Sequence, residues 1–267
     1  MRRYDFVISP DYYNELQELL QVRKAEDFRL VRIGRDYDGG YVMFDDFGGG
    51  IAYSFGICDD VSWDKDIASR GYDVYMYDHT IDGLPEDNPR FHWSKLGISD
   101  GMTQDDRLKS LEELIALNGH EGKRDMILKM DVEGAEWGFL DGVKSETLAQ
   151  FGQITFEIHD MINPANPERV LNALRKINIT HQLIHIHANN NGTYLSVGSK
   201  NFSSLLEVSY VLRDKYKFAG EYDVNLPLGL DMPNAKSIPE IELGHWNRKA
   251  EIDERFSLML RQYTLVK

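Results

Sequence analysis

The sequence predicts an α/β fold in which a seven-stranded, mostly parallel sheet is covered by helices on both faces. Three observations predict it. From residue 51 onward, short apolar runs alternate with amphipathic stretches, the pattern of parallel strands joined by crossover helices. Several of these runs stop at a glycine or a carboxylate, as expected where an open parallel sheet presents its ligand-binding edge. With 267 residues, 42% of them hydrophobic, the chain can bury a core of its own as one domain with attachments.

The elements follow in order. Residues 10–26, "PDYYNELQELLQVRKAE", place Tyr13, Leu16, Leu19 and Leu20 at helical spacing behind Pro10 and predict a cover helix. "FRLVRIGRDYDGGYVMFDD" alternates around "DGG" and predicts a hairpin at the edge of the core. Seven strands are then expected in "IAYSFG", "YDVYMYDHT", "RFHWSKLGISD", "RDMILKMD", "QITFEIHD", "THQLIHIHANN" and "SSLLEVSYVLR", the last of them suited to an antiparallel place. Helices are expected in "DKDIASRG", "TQDDRLKSLEELIALNG", "SETLAQFG" and "NPERVLNALRKIN". Residues 1–50 thus form an N-terminal extension and 51–215 the central domain. Residues 216–267 form an arm that returns over that domain, with Pro227, Pro233 and Pro239 and a final amphipathic helix.

Charge and cysteine usage narrow the function. A net charge of −14 repels polyanions, so nucleic acid and anionic membrane are disfavoured as partners. Cys58 is the only cysteine, which rules out an internal disulfide and a thiolate zinc site and suits a reducing cytoplasm. The N-terminal stretch has no apolar run of the kind a secretory signal needs, and no 18-residue apolar span occurs. A soluble protein is expected, and a homo-oligomer is compatible with the composition.

Carboxylates and histidines collect at the expected strand ends. Gly56 ends the first sheet strand, and Asp78 ends the second, 22 residues later, where an acid can accept both hydroxyls of a ribose. The phosphate half of a dinucleotide fingerprint is missing: "ICDDVSWD" puts Asp59, Asp60 and Asp64 where small residues and bare N–H groups would meet a pyrophosphate. These acids can hold a cationic ligand or cap the following helix. An adenosine cofactor without phosphate, carrying a sulfonium cation, fits better than a nicotinamide dinucleotide.

At this point the residues resemble a known family. "LKMDVEGAEWGFLDGV" resembles the D-V-E-G-A-E signature of FkbM-type methyltransferases, and "YSFGICDDVSWDKDIASRGYDVYMYDHT" is similar to the cofactor-binding half of related methyltransferases. "KLGISD" resembles their adenine-side loop and "ITFEIHD" their fifth-strand end. The resemblance implies a class I methyltransferase (Rossmann-like) fold and S-adenosylmethionine-dependent O-methylation of sugars or other small hydroxylated compounds. It implies that Phe55, Gly56 and Ile57 line the methionine side, Asp78 the ribose, and Gly97 and Ile98 the adenine. "SFGIC" stands where the family has a small-residue D-x-G-A-N segment.

Transfer to a hydroxyl needs an aligned acceptor and a group to take its proton. Asp131 is the leading candidate for that base and also adjoins the cofactor, with His159 second and Glu157 two residues before it on the same face. The alternative for Asp131 is a structural acid held by backbone N–H groups. Glu133 and Glu136 suit a helix N-terminus, and Glu133 can also reach the acceptor. His187, followed by Asn189 and Asn190, reads as a polar rim facing the substrate, and Trp246 in "LGHW" reads either as a sugar-stacking ring or as an anchor for the arm. Mg²⁺ or Mn²⁺ could be held by Asp131, Glu157 and His159 or His187, but carboxylates at strand ends are equally expected for substrate hydroxyls, so a metal is not the favoured reading. Two other functions remain open. One is a non-catalytic nucleoside-binding module, and the other, disfavoured by the acids after Gly56, is a nicotinamide oxidoreductase.

Overall fold

The computed structural model describes residues 10–162, 164–197 and 200–249. The first helix, α1 (Pro10–Leu19), leads into a hairpin of β1 (Leu30–Ile33) and β2 (Tyr41–Phe44). The helix stops short of the predicted residue 26 because the chain turns away to hydrogen-bond elsewhere: Arg23 N–H donates to Leu183 O at 2.9 Å, and Ala25 bridges Phe218. The central sheet begins with β3 (Gly50–Phe55), α2 (Ser62–Ser69), β4 (Tyr72–Tyr77) and β5 (Phe91–Ser94). A short pair, β6 (Gly97–Ile98) and β7 (Leu108–Lys109), comes before α3 (Leu111–Leu117). The helix expected from residue 103 therefore starts late. Leu108 and Lys109 pair with β6, and Ser110 makes a capping box with Glu113, which satisfies the first free N–H groups at that point.

The remaining elements are β8 (Met126–Met130), α4 (Glu136–Gly142), α5 (Ser145–Leu148), β9 (Phe151–Ile158), α6 (Pro167–Thr180), β10 (His181–Ala188), the hairpin β11 (Tyr194–Val197) and β12 (Lys200–Ser203), β13 (Leu206–Leu212), β14 (Asn225–Leu226) and β15 (Gly244–His245). The seven expected strands make one sheet in the order β10-β13-β9-β8-β3-β4-β5. β13 runs antiparallel to both its neighbours, while β9, β8, β3, β4 and β5 pair in parallel. Numbered by first appearance in the sheet, the strands lie 6-7-5-4-1-2-3, the class I methyltransferase arrangement. The order reverses between β3 and β8, which makes the crevice at their C-terminal ends the place for a ligand.

Alternation along β8 divides the core in two. Met126, Leu128 and Met130 join α1, α3, α4 and α6 on one face, whereas Ile127 packs with α2 and the β1–β2 hairpin on the other. The arm packs on the first of these cores through Val224, Leu226, Ile241, Leu243 and Trp246. The amphipathic helix expected after residue 249 lies outside the described residues.

Candidate active site

A cavity of about 630 Å³ opens at the C-terminal ends of β3, β4, β8 and β9, within the size range of small-molecule sites. At one end lies Asp78. Its Oδ2 accepts from the N–H groups of Ile57 (2.9 Å) and Cys58 (3.0 Å), and its Oδ1 from the N–H (2.8 Å) and hydroxyl (2.6 Å) of Thr80. Burial raises this carboxyl, but the hydrogen bonds from Cys58, Thr80 and Ile57 outweigh it and bring its pKa to about 2. Asp78 therefore both faces the cavity and holds the turn after β3. Gly97 and Ile98 line the same end, where a Cβ on Gly97 would stand 2.5 Å from His79 Nδ1.

The turn after β3 carries Phe55, Gly56, Ile57 and Cys58 into the wall. Phe55 is buried and stacks on Tyr77 at 5.1 Å between centroids. Gly56 has φ +77°, and a Cβ there would lie 1.6 Å from the carbonyl oxygen of Asp131. The space freed by this glycine is thus filled by the neighbouring strand end, not by a ligand as the sequence suggested. Of the three acids that follow, Asp59 and Asp60 line the cavity. Asp60 also accepts from Ser62 N–H (3.1 Å) and hydroxyl (2.8 Å), fixing the start of α2. Asp64 is buried within α2 and does not line the cavity; desolvation raises its pKa.

The opposite end gathers Asp131, Glu133, Glu157 and His159. Tyr41 donates its hydroxyl to Asp131 Oδ2 at 3.1 Å. Burial, then the charge of the Asp131 carboxylate, raises that phenol's pKa well above its ordinary value and keeps it protonated. Glu157 is buried, and desolvation together with the Asp131 and Glu207 carboxylates raises its pKa far above the usual range, which favours its neutral form. His159 Nδ1 is 3.1 Å from Glu136 Oε1, and its Nε2 is 3.3 Å from Glu133 Oε2. Burial lowers the imidazole, but Glu136, Glu133 and Asp131 raise it by more, which favours the imidazolium. Glu136 also accepts from Val132 N–H (3.2 Å) and Gly134 N–H (3.3 Å) at the start of α4, as expected for a capping acid. Glu133 does not cap; its exposed carboxylate turns to His159. One oxygen or nitrogen each of Asp131, Glu133 and His159 lie within 4.8 Å of one another, close enough to share a divalent ion.

Residues 62–182 match the family profile of the methyltransferase FkbM domain. No curated protein matches the chain in sequence. Among solved structures, a DNA modification methyltransferase encoded within a prophage (E. coli) has TM-score 0.41 and 11% identity over 63% of this chain and 48% of its own. A SAM-dependent methyltransferase from Streptococcus mutans has TM-score 0.39 and 10% identity over 72% and 57%. The match spans only about half the length of these two structures. The match over residues 62–182 and the sheet order both point to the methyltransferase fold.

Two expected substrate residues lie outside the cavity. His187 is buried, not at a rim: its Nδ1 is 2.9 Å from Glu207 and its Nε2 3.0 Å from Glu240, because the arm folds over the end of β10 and supplies Glu240. Trp246 does not stack on a ligand; it is 1% exposed, donates Nε1–H to Leu20 O at 2.8 Å and packs 5.7 Å from Phe202. It anchors the arm. Asn189 does line the cavity and donates to Glu157.

Three further residues belong to the site. Lys129 hides in "MILKM" as a lone cation in an apolar strand, and that oddity was its signal. Tyr41 gave none, since an aromatic in a hairpin reads as core. Cys58, exposed and at φ +49°, lines the wall.

The residues present fit S-adenosylmethionine. The cavity has the volume, an acid at the second strand end for ribose hydroxyls, and carboxylates along its wall for a cationic sulfur.

Proposed function

We propose that the FkbM domain transfers the methyl group of S-adenosylmethionine to a hydroxyl oxygen of a small molecule or sugar, with Asp131 as general base. When bound, the cofactor supplies an electrophilic methyl group on sulfur. Asp131 would take the proton that the acceptor hydroxyl loses as its oxygen gains the methyl group. The observation that carries this reading is the setting of Asp131: it faces the cavity, held by Tyr41, between a neutral Glu157 and a His159 whose neighbours favour its charged form. Neither neighbour is then disposed to take a proton, whereas a carboxylate is. His159 instead balances negative charge beside the acceptor.

A small acceptor accords with the net charge of −14, which repels nucleic acid. No helix among the described residues is long and apolar enough to cross a membrane, and the single cysteine suits a reducing cytoplasm. The test has two stages. Calorimetry should show S-adenosylhomocysteine binding in preference to NAD and ATP; then radiolabelled S-adenosylmethionine, offered with a panel of sugars and polyols, should label at least one. Tight binding with no labelling of any acceptor would support a nucleoside-binding module instead.

A further inference from the structure

We propose that Lys129 anchors the α-carboxylate at the amino-acid end of the cofactor, an assignment that rests on the methyltransferase reading above. Lys129 lies in β8 with its side chain on the α2 face of the sheet, 5% exposed, and it lines the cavity. Burying an ammonium costs several kcal/mol unless partners replace its water. Its partners here are few. Nζ donates to Gly56 O at 3.0 Å and stands 5.7 Å from the centre of the Tyr41 ring. Asp64 feels its charge, but no carboxylate among the described residues lies within ion-pair distance of it. An ammonium has three N–H donors, so two are left uncommitted at the cavity wall.

Most of the other charged groups in that wall are acids, among them Asp59, Asp60, Asp78, Asp131 and Glu133. Of the other cations there, Arg35 is half-exposed and already engaged by Asp60 at 3.5 Å and by the Asp38 carbonyl, and His159 is engaged by Glu136 and Glu133. A buried cation with free donors in an acid-lined cavity calls for an anion. The expected cofactor has one, at the end remote from its adenosine. The position agrees: Asp78 and Gly97 mark the adenosine end beyond β4, and Lys129 reaches the Gly56 carbonyl from β8, on the other side of β3. The competing role is purely structural, a counter-charge for Asp64.

The experiment compares S-adenosylhomocysteine with its decarboxylated counterpart, which keeps the adenosine, the thioether and the ammonium. Calorimetry on the unmodified protein should give at least about tenfold tighter binding of the carboxylate-bearing ligand, in line with one charge-assisted contact. Lys129→Met and Lys129→Gln should each abolish that ratio, by weakening S-adenosylhomocysteine while leaving the decarboxylated ligand within about twofold. A structural role would lower the melting temperature and leave the ratio intact. Equal affinities in the unmodified protein overturn the assignment without any variant having to fold. If neither ligand binds the unmodified protein, the methyltransferase reading falls and this one with it.

Discussion

The hydroxyl of Tyr41 and Oδ2 of Asp131 meet at 3.1 Å, which joins the N-terminal hairpin to the strand-end carboxylate. Asp131→Asn keeps the shape of that carboxylate and removes the base. Turnover should fall by about 10² or more, while affinity for S-adenosylhomocysteine stays within a few fold. Single-turnover methyl transfer beside a cofactor titration measures both. Near-native turnover in Asp131→Asn together with a dead His159→Ala would make the imidazole the base.

Asp78→Ala should weaken S-adenosylhomocysteine by more than about tenfold if Asp78 is the ribose acceptor the family resemblance implies. The variant also frees the N–H groups of Ile57, Cys58 and Thr80, so its melting temperature should fall as well. Calorimetry that finds unchanged affinity would move the ribose site elsewhere.

The trio of Asp131, Glu133 and His159 bears on metal dependence. EDTA is expected to leave S-adenosylhomocysteine affinity unchanged, because Asp78 and Gly97 lie at the other end of the cavity. Should EDTA abolish methyl transfer and Mg²⁺ or Mn²⁺ restore it, the three residues become ligands and Asp131 ceases to be the free base.

His187 gives a pH signature. Burial lowers its pKa, but hydrogen bonds to Glu207 and Glu240 and the charges of Glu207 and Asp231 raise it to about 10. With a folded pKa above the unfolded one, about 6.5, the native state holds the extra proton between these values. The stability it contributes is complete below about pH 6.5 and is lost as pH rises through about 10. Melting temperatures taken across that range should decline, and His187→Gln should flatten the decline.

Most of the sheet could be read from the chain, because each of the seven strands is an apolar run bounded by turn residues, and period alone identifies such runs. What escaped reading depends on distant partners. The hairpin of β11 and β12 is short and mixed in character, and its register, Tyr194 opposite Ser203 to Val197 opposite Lys200, is closed at the ends by Thr193 and Ser204. Asp131, Glu157 and His159 were legible as strand-end groups, but the division of charge among them was not: burial, then Asp131, then Glu207, 50 residues away on an antiparallel strand, raise the pKa of Glu157. Trp246 and His187 misled for one reason. An aromatic or imidazole near glycine or asparagine looks exposed until its cover is known: the arm brings Glu240 to His187, whereas Trp246, itself in the arm, packs on Leu20 and Phe202.

The contact between Gly56 and the Asp131 carbonyl makes the methionine-side turn and the acceptor-side turn one mechanical part. With 1.6 Å between a Cβ at position 56 and that oxygen, no side chain can be accommodated without moving the backbone that carries the base. Directed evolution toward a new acceptor by remodelling residues 131–134 would therefore shift the cofactor wall at the same time. Libraries that vary the two turns together should retain function more often than libraries that vary either alone.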